Sequence, residues 1–179
     1  MNYLSKIIII FFITSGLNAQ LIYQGSKAPG FFLFDIENNE FYLSKNLDKP
    51  LFINFFNTHC SPCLAEIPDL ITFYNKHNDS INMALIDYVE FSYPFVDRRE
   101  TVEDVQKALK RFNIPFPILM DNYGIVTKAY GVSDNNPNIP TGLPVSFIIG
   151  TDGTILWLHE GRTMVEDLEK LERDYETIF

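Results

Sequence analysis

Cys60 and Cys63 are the only cysteines in this 179-residue chain, and they stand three positions apart between an apolar run and a segment of helical periodicity. The run is Leu51-Phe-Ile-Asn-Phe-Phe56, the composition of a strand covered on both faces in a mostly parallel sheet. After the cysteines, Leu64, Ile67, Pro68 and Ile71 fall on one helical face. The pair therefore sits where a buried strand ends and a helix begins. Closing so short a loop removes little entropy from the unfolded chain, so the spacing points to chemistry rather than to stapling. At a helix start, free backbone N–H groups and the helix dipole favour a thiolate at Cys60, the expected nucleophile. A shift of its pKa from about 8.5 to about 7 corresponds to roughly 2 kcal/mol. Cys63, one turn inward, is placed to resolve a mixed disulfide. Pro62 restricts the intervening backbone and is tolerated in a first helical turn.

Two other readings of the pair are a structural disulfide and part of a metal site. A closed zinc site needs two further ligands, and His59, His77 and His159 form no ligand motif. The alternative function carried forward is a copper-binding module that uses Cys60, Cys63 and His159 as soft and borderline ligands.

The remaining chain alternates short strands and amphipathic helices without repeats or low-complexity tracts. Strands are expected at Phe31 to Ile36 and Phe41 to Leu43 around Glu37-Asn38-Asn39, then at Ile81 to Asp87, Phe116 to Met120, Pro144 to Ile149 and Thr154 to His159. Asp152-Gly153 suggests a two-residue hairpin between the last two. Helices are expected after Cys60, with a kink at Pro68, through Val102, Val105, Leu109 and Phe112, over Ile125 to Tyr130, and through Val165, Leu168, Leu171, Tyr175 and Ile178. Tyr88 to Glu100 and Ser133 to Leu143 read as connections. This order suits an α/β domain with a central mixed sheet and helices on both faces.

Met1 to Ala19 has the outline of a secretory leader: one cation at Lys6, the apolar run Ile7 to Ile13, and Leu17-Asn18-Ala19 before a cleavage point. As a helix, Ile7 to Leu17 covers only about half of a hydrocarbon core roughly 30 Å thick. The expected organisation is a signal peptide, or an uncleaved anchor, over 1–19 and one domain over 20–179. Without the leader, 13 basic residues face 23 acidic ones, a net charge of −10. Nucleic acid is a poor partner for such a chain, since a phosphate backbone rewards clustered cations.

The run from Phe52 to Pro68, Phe-Ile-Asn-Phe-Phe-Asn-Thr-His-Cys-Ser-Pro-Cys-Leu-Ala-Glu-Ile-Pro, resembles the thioredoxin-like TlpA/ResA family, with its Cys-x-x-Cys followed by x-x-Glu-x-Pro. Gly142-Leu143-Pro144-Val145-Ser146-Phe147-Ile148-Ile149 and Asp152-Gly153-Thr154-Ile155 are similar to two downstream segments of that family. The resemblance implies a thioredoxin-like three-layer α/β/α sandwich with an N-terminal β-hairpin and a helix-strand insertion. It implies an exported, periplasmic thiol-disulfide oxidoreductase that needs no cofactor. Its partners would be disulfide-containing or dithiol proteins, for example in cytochrome c maturation, and a membrane electron donor. It also implies a cis Leu143-Pro144 peptide beside the cysteines, where Leu143 and Pro144 would hold an extended substrate peptide; Pro62 and His59 are expected to meet the substrate too, His59 alternatively stabilising the Cys60 thiolate as a cation. Glu66 matches the family's carboxylate, which tunes cysteine ionisation and moves protons. Thioredoxin places a buried acid on the strand before its cysteines, but the matching residue here is the neutral Asn54. His59 departs from the usual Trp, and Asn57 stands where a peroxiredoxin has the Thr of Thr-x-x-Cys.

Overall fold

A computed structural model describes residues 22–88, 101–132 and 142–176. The expected leader, most of the connection after Tyr88, most of the Asn- and Pro-rich loop before Gly142, and Ile178 lie outside these residues.

Seven strands form one mixed sheet in the order β2-β1-β5-β4-β3-β6-β7. They are β1 (Phe32–Asp35), β2 (Glu40–Tyr42), β3 (Leu51–Phe56), β4 (Asn82–Tyr88), β5 (Ile118–Asp121), β6 (Val145–Ile149) and β7 (Ile155–Glu160). The central β3, β4 and β5 run parallel, whereas β6, β7 and the β1-β2 hairpin attach antiparallel. All six residues of β3 are buried, as its apolar run requires.

Alternation along the strands creates two cores. Phe52, Phe56, Met83, Leu85 and Ile148 face α1 (Ser61–His77), α2 (Val102–Leu109) and α4 (Val165–Asp174), which contribute Ile67, Leu70, Val105, Leu109, Leu168 and Leu171. Leu51, Ile53, Phe55, Ile86, Phe147 and Ile149 face the other way, toward the short α3 (Ile125–Ala129) and the segment around Ile22 to Phe31. This is the thioredoxin-like sandwich.

Three local expectations change. The β6-β7 connection has three residues between Gly150 and Thr154, not two: Gly150 N–H donates to Thr154 O at 2.8 Å, and Gly153 N–H to Gly150 O at 2.8 Å. Gly153 takes φ +81°, the left-handed position that ends a three-residue hairpin loop. Helix α2 stops at Leu109, after which Phe112 N–H bonds to Leu109 O and the Phe112 ring still packs on the core. Helix α4 stops at Asp174, and the Tyr175 hydroxyl donates to Leu156 O at 2.6 Å. Helix α1 continues through the exposed Pro68 as a single 17-residue element.

Candidate active site

Strand β3 delivers the chain to Asn57, whose carbonyl accepts from Cys60 N–H at 3.2 Å. Cys60 is the extended N-cap residue of α1, and its sulfur accepts from Cys63 N–H at 3.2 Å. Cys60 and Cys63 form a disulfide with their Cα atoms 5.2 Å apart. Cys63 is completely buried, while Cys60 is partly exposed at the edge of the same core. Pro62 lies exposed in the first turn, where its missing N–H breaks no intrahelical bond.

Glu66, one turn beyond Cys63, is also completely buried. Two fixed donors meet its carboxyl: Asn54 Nδ2 reaches Oε1 at 2.8 Å, and Thr163 N–H reaches Oε2 at 2.6 Å. Burial pushes its pKa up to about 7, against the opposing pull of the Thr163 and Asn54 hydrogen bonds and the Arg162 charge. Asn54 gives a second hydrogen bond to Ser146 Oγ at 2.9 Å, and Ser146 Oγ lies 3.2 Å from Thr163 Oγ1. Asn54 and Ser146 are direct partners across β3 and β6. The result is a buried polar row that crosses two strands and reaches from α1 to the β7-α4 turn.

Leu143-Pro144 is a cis peptide, as the family resemblance implies. Gly161 N–H donates to Pro144 O at 2.9 Å, which joins the β7-α4 turn to the start of β6. Leu143 packs against the core that contains Cys63. Arg162, in the same turn, donates to Ala65 O at 3.2 Å and lies 3.5 Å from an Asp69 carboxylate oxygen, so the turn is tied to α1 as well.

His59 is exposed, and its N–H donates to Asn57 Oδ1 at 3.0 Å. The Asp104 carboxyl of α2 stays below its ordinary range mainly through hydrogen bonds from Thr101. His159 does not join the cysteines. Its ring stacks on Trp157 with centroids 5.3 Å apart, and Nε2 lies 3.3 Å from Arg162 O and 3.7 Å from an Asp167 carboxylate oxygen. Among the described residues no three His, Cys, Asp or Glu side chains gather as a metal site, so the copper alternative lacks its third ligand.

Ser146, Thr163 and Arg162 were not singled out from the sequence. For Ser146 a signal existed: like Asn54, it is a polar residue inside an otherwise apolar strand. Thr163 follows a glycine turn and offers no such contrast.

The model of the AhpC/TSA family matches residues 24–158. The thiol-disulfide oxidoreductase ResA of Bacillus cereus is 30% identical over 174 residues, covering 91% of each chain. ResA of Bacillus thuringiensis subsp. konkukian is 32% identical over 146 residues, covering 82% of this chain and 75% of its own. Among solved structures, a Chlorobium tepidum protein assigned as a thiol:disulfide interchange protein DsbE superposes with TM-score 0.70 at 23% identity, over 88% of this chain and 99% of that one. The protein is thus a thioredoxin-like thiol-disulfide oxidoreductase, and the Cys60–Cys63 disulfide at the start of α1 fits a dithiol cycle. The chain belongs to the AhpC/TSA family and, within its reach, to the ResA-like thiol-disulfide oxidoreductases.

Proposed function

We propose that the protein is exported and reduces disulfides of extracytoplasmic partner proteins, apocytochrome c among the candidates, with electrons from a membrane donor. The observation that carries this reading is the asymmetry of the pair. Cys60 is reachable at a helix start, while Cys63 is buried one turn before a carboxyl whose pKa is raised to about 7. In the reduced enzyme the Cys60 thiolate attacks one sulfur of the partner disulfide, forming a mixed disulfide and expelling the partner's other sulfur as a thiolate. Glu66 takes the proton from the Cys63 thiol. The Cys63 thiolate then attacks the Cys60 sulfur and releases the second partner thiolate. Two electrons pass to the partner, and Cys60–Cys63 is left oxidised until a dithiol donor reverses the same steps.

Leu143, Pro144, His59 and Pro62 are assigned to the surface that meets the partner's cysteine segment. Residues 1–19 support export by their leader-like pattern, and among the described residues no helix is long and apolar enough to cross a membrane. The test is the reduction potential of the pair, obtained by equilibration against thiol-disulfide buffers. A value near or below about −230 mV supports the reducing role, and one near −120 mV would make the protein an oxidant.

A further inference from the structure

Glu66 presents an accounting problem that its two amide donors do not solve. An ionised carboxylate only accepts hydrogen bonds, and both Asn54 Nδ2 and Thr163 N–H serve that state. A protonated carboxyl must also donate, and neither of those nitrogens can accept. A buried hydroxyl proton left without an acceptor is costly, about 1–3 kcal/mol. One hydroxyl, on Thr163, adjoins the carboxyl and a second, on Ser146, adjoins the first, and a hydroxyl can both donate and accept. The Thr163 hydroxyl is near enough to the Glu66 carboxyl to hold its pKa down, and Ser146 Oγ lies 3.2 Å from Thr163 Oγ1 with either oxygen able to donate. Ser146 is itself completely buried and held in place by the second Asn54 N–H at 2.9 Å.

We propose that Ser146 is a positioning residue for Glu66, forming with Thr163 a reversible hydroxyl chain that keeps the carboxyl hydrogen-bonded in both of its protonation states. With Glu66 ionised, the Ser146 hydroxyl donates to Thr163 Oγ1, and the Thr163 hydroxyl donates to the carboxylate. When the carboxyl gains a proton from the Cys63 thiol, it donates to Thr163 Oγ1, and the Thr163 hydroxyl turns to donate to Ser146 Oγ. One proton moves from sulfur to carboxyl, and the two hydroxyls exchange direction without net transfer between them. Asn54 matters to this device because its amide is bonded to both ends of the chain, the carboxyl and Ser146.

The groups that face Glu66 leave this chain as the adjustable element. Strands β3 and β6 contribute the uncharged Asn54 and Ser146, and the β7-α4 turn contributes Thr163 and the Arg162 charge. Helix α1 supplies Cys60, Cys63 and Asp69, the last lying 3.5 Å from Arg162. His159 pairs opposite Ser146 on β7, but its ring is engaged with Trp157, Arg162 O and Asp167. Without Ser146 the Thr163 hydroxyl still donates to the ionised carboxylate but has no acceptor once the carboxyl is protonated, so losing Ser146 should cost the protonated form more.

The inference rests on Glu66 as the proton acceptor, and two readouts separate the two claims. The first is the carboxyl titration of Glu66 in the full, oxidised chain, followed by 13C NMR with glutamate labelling and assigned by its disappearance in Glu66→Gln. Ser146→Ala should lower the midpoint by about half a unit to one unit, a three- to tenfold loss of proton affinity. Thr163→Val, which removes the hydroxyl beside the carboxylate itself, should raise it by a similar amount, and adding Ser146→Ala to Thr163→Val should produce no fall, because Ser146 acts only through the Thr163 hydroxyl. Ser146→Thr, which keeps the hydroxyl, should stay within about 0.2 units of the wild type, while Ser146→Val, of matching shape, should shift as alanine does. An unchanged midpoint in both Ser146→Ala and Ser146→Val overturns the hydroxyl chain. The second readout is the pH profile of the reduced chain reacting with a small disulfide. If Glu66→Gln leaves that profile unaltered, the proton-acceptor reading fails whatever Ser146 does to the titration.

Discussion

The two faces of β3 and β6 solve the same packing problem with different chemistry. Toward α3, Ile53, Phe55, Val145 and Phe147 pack with Tyr130; the Phe55 and Phe147 rings meet at 5.8 Å nearly edge-on, and Tyr130 contacts both. The one hydroxyl in that group, on Tyr130, bonds the Pro29 carbonyl at 2.9 Å, and burial pushes its pKa up and away from any physiological titration. Toward α1, the same two strands carry Asn54 and Ser146, which join Glu66 and Thr163 in a buried polar row beneath the cysteines. One face is built for stability, and the other accepts a buried carboxyl that titrates near neutrality. A step of one residue along either strand exchanges the two environments, because side chains alternate between faces.

Several substitutions would break or sharpen this contrast. Cys60→Ser should reduce disulfide exchange to background while the thermal unfolding midpoint of the reduced protein barely changes. On the opposite face, Phe147→Ala should lower stability by about 3–5 kcal/mol, read by urea unfolding, yet leave the exchange rate per folded molecule intact.

Glu66 should couple the active face to pH. Its folded-state pKa of about 7 lies above the ordinary 4.5, so the unfolded chain gives up this proton at lower pH than the folded one. Stability associated with Glu66 is therefore full below pH 4.5, declines between 4.5 and 7, and is flat above 7, a loss of about 3 kcal/mol in all. Urea midpoints measured across that range should fall in the wild type, and the Glu66→Gln profile should be flatter by that amount. The smallest effect belongs to Tyr130→Phe, which removes one hydrogen bond and should cost about 1 kcal/mol without altering the pH profile of exchange.

Much of this was legible in the chain itself. The continuous apolar run Leu51 to Phe56 and the helical spacing after Cys60 are strong signals because burial on both strand faces and on one helix face leaves few alternatives. Asn54 and Glu66 stood out by type and position. The partnership of Glu66 with Thr163 did not, since 97 residues separate them and only the return of β7 beside β6 brings the turn to the carboxyl. The apolar spacing runs past the ends of α2 and α4 because Phe112 and Tyr175 continue it while packing from beyond the helix. The third loop residue of the β6-β7 hairpin was hidden because Asp-Gly serves loops of either length.

The roles of the two cysteines are tested most directly by trapping. Cys63→Ser, reduced and mixed with a disulfide-bonded partner protein, should accumulate a mixed disulfide that peptide mapping places at Cys60, while Cys60→Ser under the same conditions accumulates none. A comparable adduct on Cys63 in Cys60→Ser, or none on Cys60 in Cys63→Ser, would contradict the assignment of Cys60 as nucleophile and Cys63 as resolving thiol.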